Sequence, residues 1–220
     1  MNMKYSAYVF DFDLTLADSS KGILICFKHT LEAFGYKVPD DTTIYNTIGL
    51  TLVDAFDILT GIKNNPQREE MRKVYVAKAD EAMAVNTFFY DDTLALLQVL
   101  QHAGVKVGIV STKYRYRIVE TFEKQAGSFP VDYIVGGEDV SCAKPDPSGL
   151  NAIIEKMREQ KQNVLYIGDS YIDAMTAQNA GVDFAGVTTG STTAKDFEKY
   201  PHIYVGKNLM DIFTSINTNE

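Results

Sequence analysis

Apolar and polar positions along the chain fall into two alternating patterns. Short β-rich runs recur at YSAYVF (5–10), VKVGIV (105–110), DYIV (132–135), NVLYIG (163–168), DFAGV (183–187) and HIYVG (202–206). They are apolar throughout, as strands covered on both faces are. Between them lie stretches of helical spacing, and this alternation predicts βαβ units, hence an α/β fold with a doubly wound parallel sheet. About ninety residues separate the first run from the second, far more than one crossover needs. Within them Ile23, Leu24, Phe27, Leu31 and Phe34 repeat at helical spacing from about Ser19 to Phe34, with further helices over roughly Leu52–Leu59 and Gln67–Met83. Gly35, Pro39, Gly49, Gly61 and Pro66 punctuate them. The expected organisation is a core over 1–16 and 88–220, with a helical module inserted at 17–87. Asp91 or Asp92 is then expected to cap the helix TLALLQVLQHAG, which stops at Gly104.

Composition narrows the class. The 220 residues are 45% hydrophobic and 23% charged, and no run reaches the roughly 18 apolar residues of a membrane helix. No secretory signal is legible in MNMKYSAYVF, so a cytoplasmic location is expected. Cys26 and Cys142 have no metal-ligand spacing and read as reduced thiols. A net charge of −8 argues against a nucleic-acid surface but leaves room for a small phosphorylated ligand, because one cation and one Lys can reverse a local field.

The stretch VFDFDLTL places Asp11 and Asp13 one residue apart where the first strand ends. Like charges so close are costly unless something positive sits with them. On a doubly wound sheet, ligands bind at the carboxyl ends of strands beside the point where strand order reverses. The second run ends in Ser111 and Thr112, and the fourth in Gly168-Asp169, with Asp173 four residues on and Lys144 in the loop before the preceding helix. Singly, each could be a turn former, a helix cap or a surface charge. Together they fall at one end of the sheet in a fixed order.

In this combination the chain resembles the haloacid dehalogenase-like hydrolase superfamily. DFDLTLADS is similar to its first motif, GIVSTK to its second, VSCAKPDPSGL to its third and YIGDSYIDAMTAQNAG to its fourth. IVGGEDVSCAKPDP, AGVDFAGVTTG and the helical insert are most similar to the phosphoglycolate phosphatase-like branch with a helical cap. The resemblance implies a phosphatase acting on a small phosphate monoester. Asp11 would attack phosphorus to form an aspartyl-phosphate that water hydrolyses. Asp13 would serve as general acid and base, kept protonated at first by its neighbouring carboxylate. Mg²⁺ would be held by Asp11, the Asp13 carbonyl and Asp169, with Lys144 as a second positive charge. Ser111 and the backbone N–H groups of Thr112 and Lys113, at a helix start, would bind the phosphoryl oxygens. Asp173 would orient Lys144 or a metal-bound water, with Thr15 supporting the first motif. In the cap, Gly49-Leu50-Thr51 would face the leaving group, with His29, Tyr45 and Lys63 as further contacts. The insert would close as a lid, moving on links near 17–20 and 85–90.

Three departures stand out. Leu14 occupies a place usually held by Gly, so the turn after Asp13 must form without a residue tolerant of positive φ. Thr112 replaces a frequent Asn, and FFYDDTLALL lacks a common Pro-Gly. Of the rival chemistries, a dehalogenase lacks an acid at position 13. A sugar-phosphate mutase of the β-phosphoglucomutase kind carries a His near Ile23. That mutase, a pyrophosphatase of the same superfamily and a catalytically silent interaction protein all stay open. A response-regulator receiver domain is about half this length and has no helical insert.

Overall fold

The computed structural model describes residues 3–127 and 130–217. Six strands form one parallel sheet: β1 (Ala7–Phe10), β4 (Lys106–Val110), β5 (Tyr133–Val135), β6 (Val164–Gly168), β7 (Asp183–Val187) and β8 (Tyr204–Gly206). Their order is β5-β4-β1-β6-β7-β8. The apolar runs therefore mark all six strands, each starting within two residues of its predicted place. β1 is central, with Phe10 in register with Ile109 on one side and Ile167 on the other. Strand order reverses there, so Asp11 leaves the sheet between the ends of β4 and β6.

Alternation along β1 sends its side chains to two cores. Tyr8 and Phe10 pack with Leu96, Leu97 and Leu100 of α5 (Thr93–His102), Ile118 and Phe122 of α6 (Arg115–Gln125) and Ile212 of α10 (Leu209–Asn217). Ala7 and Val9 pack on the other face with Leu150, Ile153 and Ile154 of α7 (Ser148–Met157) and Ala174 and Ala177 of α8 (Tyr171–Ala180). Both faces are buried against helices, which explains why the strands carry no polar alternation. A short α9 (Ala194–Phe197) adds Phe197 to the second core.

Between β1 and β4 the chain forms α1 (Ser20–Ala33), α2 (Asp41–Tyr45), α3 (Leu52–Thr60) and α4 (Arg68–Ala82), around a separate apolar cluster that includes Ile23, Phe27, Leu31, Phe56, Met71 and Tyr75. The ring of Phe27 lies 4.8 Å from that of Tyr75 and 5.2 Å from that of Phe56. α2 is absent from the periodicity because five residues hold barely one turn; Asp40 starts it by accepting a hydrogen bond from the Thr43 N–H at 2.9 Å. The segments on either side of these helices pair with each other as β2 (Ala17–Asp18) and β3 (Phe88–Phe89), antiparallel, with Ala17 opposite Phe89. Two-residue strands leave no apolar pattern to read.

One predicted cap is not made. Asp92 does precede α5 but makes no side-chain cap; its carboxylate instead accepts the Met210 N–H at 2.8 Å, tying α5 to α10. Gly104 ends the helix with φ +72, as its position implied. Both cysteines are free thiols. Among the described residues no helix is long and apolar enough to cross a membrane.

Candidate active site

Asp11, Asp13, Ser111, Lys144, Asp169 and Asp173 all reach the carboxyl end of the sheet. One carboxylate oxygen each from Asp11, Asp169 and Asp173 lies within 4.8 Å of the others, and all three side chains are buried. Lys144 Nζ stands between two of them, 2.6 Å from Asp173 Oδ1 and 3.1 Å from Asp11 Oδ1. Burial works to strip the Lys144 proton, but Asp11 and Asp173 outweigh it and hold the ammonium above its usual range.

The carboxylates differ in what already occupies them. Asp173 is filled: Oδ1 accepts from Lys144 and from the Tyr166 hydroxyl at 2.8 Å, and Oδ2 accepts from the Ser170 hydroxyl at 2.5 Å and its N–H at 3.1 Å. Ser170 and Asp173 form a capping box at the start of α8. Asp169 Oδ1 accepts from Thr15 Oγ1 at 2.9 Å. Asp11 Oδ1 is buried and accepts no well-directed hydrogen bond, its cationic neighbour being Lys144. Burial pushes the Asp11 carboxyl up to about 7, against the pull of Lys144, and burial with Asp173 and Asp11 pushes Asp169 well above the usual carboxylate range. Two buried acids with spare oxygen valences and too little positive charge form a donor set that fits a hard divalent cation. Gly190, which the motifs did not single out, walls this cluster. A Cβ there would overlap Asp169 Oδ2 and lie 2.7 Å from its Cγ. Gly190→Ala is expected to displace Asp169 from Thr15 and cut turnover about tenfold or more, read from kcat.

Asp13 faces elsewhere. Its Oδ1 accepts from Ser19 Oγ at 2.5 Å and from Lys113 Nζ at 2.7 Å, so its nearest charge is a cation and not the Asp11 carboxylate that the sequence suggested. Leu14 itself takes the left-handed conformation, with φ +59, and its side chain is 2% exposed. The turn thus accepts a cost of about 1–2 kcal/mol that Gly would avoid. The Leu14 N–H donates to the Ala17 carbonyl at 2.8 Å, and its carbonyl accepts from the Thr189 hydroxyl.

The second-motif loop also departs from expectation. Ser111, Thr112 and Lys113 lie before α6 rather than in its first turn, which starts at Arg115. The Lys113 N–H donates to Ser111 Oγ at 3.3 Å, and the Arg115 N–H is taken by Glu138 at 2.9 Å. Besides the backbone of Lys113, its side chain belongs to the site, as the buried partner of Asp13.

From the insert, Gly49 (φ +97) approaches the site closely enough that a Cβ would sit 3.9 Å from Ser170 Oγ. Leu50 and Thr51 line a cavity of about 460 Å³ whose other walls include Asp13, Thr112 and Lys113. Thr51 also caps α3. The Tyr45 hydroxyl donates to the Thr189 carbonyl at 3.1 Å, whereas His29 and Lys63 are exposed and line no part of the cavity. Tyr166, Ser170, Ser19 and Gly190 were missed. Only the Ser170–Asp173 spacing carried a readable signal, that of a capping box.

Residues 8–187 match the profile of the haloacid dehalogenase-like hydrolases. The chain belongs to this family. A haloacid dehalogenase-like hydrolase from Bacteroides fragilis, known from its crystal structure, is 47% identical; the match covers 95% of this chain and all of that one, with a TM-score of 0.92. Pyrophosphatase PpaX of Oceanobacillus iheyensis is 26% identical over 97% of this chain and 98% of that protein. Phosphoglycolate phosphatase of Colwellia psychrerythraea is 24% identical over 87% and 88%. This haloacid dehalogenase-like hydrolase is thus an enzyme of the class its four motifs indicated, on the doubly wound parallel sheet they implied.

Proposed function

We propose that this haloacid dehalogenase-like hydrolase is a phosphatase that cleaves a small phosphate monoester through an aspartyl-phosphate at Asp11. The observation that carries the reading is the division of labour between the two neighbouring acids. Asp11 lies with Lys144 and Asp169 in the buried acidic cluster, while Asp13 borders the cavity. The names of the relatives, a pyrophosphatase and a phosphoglycolate phosphatase, both denote cleavage at phosphorus.

Asp11, the main-chain carbonyl of Asp13 and Asp169 would hold Mg²⁺, which when bound supplies the positive charge that lets an anionic nucleophile meet an anionic ester. Lys144 adds fixed charge to the same point, and Asp173 and Tyr166 keep its ammonium in place. Asp11 then displaces the leaving alkoxide from phosphorus, forming an acyl phosphate. Asp13, entering the cycle as the acid, gives its proton to the departing oxygen, and as the carboxylate then paired with Lys113 takes one from the water that attacks the acyl phosphate. Ser19 and Lys113 hold that carboxyl toward the cavity. Ser111 and the Thr112 and Lys113 amides are assigned to the phosphoryl oxygens. Residues 17–87 are assigned as a cap over residues 1–16 and 88–220, with Gly49, Leu50 and Thr51 its inward turn.

The test is a panel of phosphorylated metabolites, assayed with and without Mg²⁺, together with Asp13→Asn. That variant is expected to lose about 10²–10⁴-fold in kcat. Mg²⁺ affinity, measured by calorimetry, should stay within a fewfold, because only the carbonyl of residue 13 would touch the ion. A matching loss of Mg²⁺ binding would refute the division of roles.

A further inference from the structure

We infer that the seam between α4 and the start of α6 is the port through which substrate enters and product leaves, and that Tyr114, Tyr116 and Arg117 form a clasp holding it shut in the resting protein. The inference rests on the cap assignment above and deepens it by naming the edge that opens. Among the described residues, the hydrogen bonds that join α1–α4 to the rest of the fold, apart from Tyr45 to Thr189, all end on the clasp. Arg72 Nη1 donates to the Tyr114 hydroxyl at 2.9 Å. Arg117 Nη2 donates to the Val76 carbonyl at 2.9 Å and to Asp80 Oδ1 at 2.8 Å, and the Tyr116 hydroxyl donates to that same oxygen at 2.8 Å. Residues 72, 76 and 80 are four apart and so share one stripe of α4.

One half of the clasp is anchored. Arg115 turns the other way: its N–H bonds Glu138 at 2.9 Å, its guanidinium bonds Asp139 at 2.6 Å, and a Cβ on Gly136 would lie 2.5 Å from its nitrogen. Residues 114–117 therefore stay with the sheet, and α4 is the half that moves. The seam runs outward from the paired strands β2 and β3. Beside them Gln125, at the end of α6, donates to the Thr87 carbonyl; Asp80 and Val76 come next, and Arg72 lies about 15 Å along α4 from Ala82. A swing about β2 and β3 parts the far end most. That far end is also a wall of the cavity, because Arg72, Val76, Tyr114 and Arg117 line it together with Asp13 and Lys113. The bonds that close it are exchangeable. The Asp80 side chain is 56% exposed and Tyr116 is 47% exposed, so water can replace their bonds at small net cost. Beside β2 and β3 the packing is tighter: a Cβ on Gly22 would lie 2.9 Å from the Met83 sulfur.

A clasp made alike in the free and the occupied protein slows entry and exit together and leaves affinity unchanged. Two measurements test this. Binding of orthophosphate with Mg²⁺ is followed by tyrosine fluorescence in a stopped-flow instrument, since Tyr114 and Tyr116 change surroundings when the seam parts. Asp80→Ala is expected to raise the association and dissociation rate constants about tenfold each and to leave Kd within about threefold. Tyr116→Phe, which removes one hydrogen bond and keeps the ion pair, should raise both about threefold. Small-angle X-ray scattering of the ligand-free protein reads the state directly. The parent is expected near the radius of gyration of roughly 17 Å for a compact chain of this length, and Asp80→Ala about 1 Å above it, as hinge opening requires. Unchanged rates and unchanged scattering in both variants overturn the port. A weaker Kd with an unchanged association rate overturns the resting clasp, because the contacts would then form only around a bound ligand. If the parent neither binds orthophosphate nor hydrolyses any ester, the phosphatase reading falls, and scattering alone still decides the clasp.

Discussion

Asp11→Asn is expected to lower kcat by at least about 10⁴-fold, since an amide offers phosphorus no nucleophile and no neighbouring group can stand in for it. Stability should move the other way. Asp11 shares a buried site with Asp169 and Asp173, and burial raises its pKa from 3.8 to about 7. Between those values the folded protein holds a proton that the unfolded chain has released, so without a divalent cation stability falls as pH rises from about 4 through about 7. Asp169, also raised, adds to the same slope. Thermal midpoints of the metal-free protein should therefore decline across this window, and those of Asp11→Asn should decline less and lie higher at pH 7. Mg²⁺ should recover much of the loss in the parent protein alone. A variant that keeps parental turnover, or a parent whose metal-free midpoint rises with pH over this range, would contradict the assignment of Asp11.

Removing Lys144 should damage both folding and catalysis. Its ammonium is the shared partner of Asp11 and Asp173, with a side chain only 5% exposed. Lys144→Ala leaves two buried carboxylates uncompensated, and breaking such a set by deleting one member costs about 3–5 kcal/mol. Tyr166 and Ser170 still donate to Asp173, so the fold is expected to survive with a lower urea midpoint. Turnover should fall about 10²–10³-fold, the scale set by losing one preorganised charge at the reacting centre. The double variant Lys144→Ala/Asp173→Asn separates the two effects: it should regain stability, because one orphaned charge is gone, and regain no activity. If the single variant unfolds at the same urea concentration as the parent, the buried ion pair has no structural weight and the proposed role for Asp173 fails with it.

The sheet was legible because both its faces are covered. Strands such as Val164–Gly168, buried at every residue, have to be apolar throughout and so stand out from the helices between them. The polar residues that end β1, β4 and β6 were legible for a related reason: an Asp or Ser that interrupts an apolar run marks where the backbone leaves the core. What escaped was set by distance in space rather than along the chain. Lys113 is 100 residues from Asp13, and its side chain reaches that carboxylate only because β1 and β4 are neighbours and the loop after β4 bends back over β1. Gly190 ends the phrase AGVDFAGVTTG, but its role was not readable there, since the need for a missing Cβ exists only once Asp169 is beside it. Leu14 misled differently. Positive φ strongly favours Gly in the abstract, but hydrogen bonds at both its N–H and its carbonyl hold a leucine there.

Because β2 and β3 lie side by side, the polypeptide leaves the Rossmann-like base and re-enters it through one narrow doorway. Residues 18 and 88 are joined across about 5 Å, the spacing of paired strands. No strand of the six-stranded sheet lies between those two positions, so its pairing does not run through α1–α4. A chimera that carries another family member's helices between these two positions should fold and take its substrate preference from the donor.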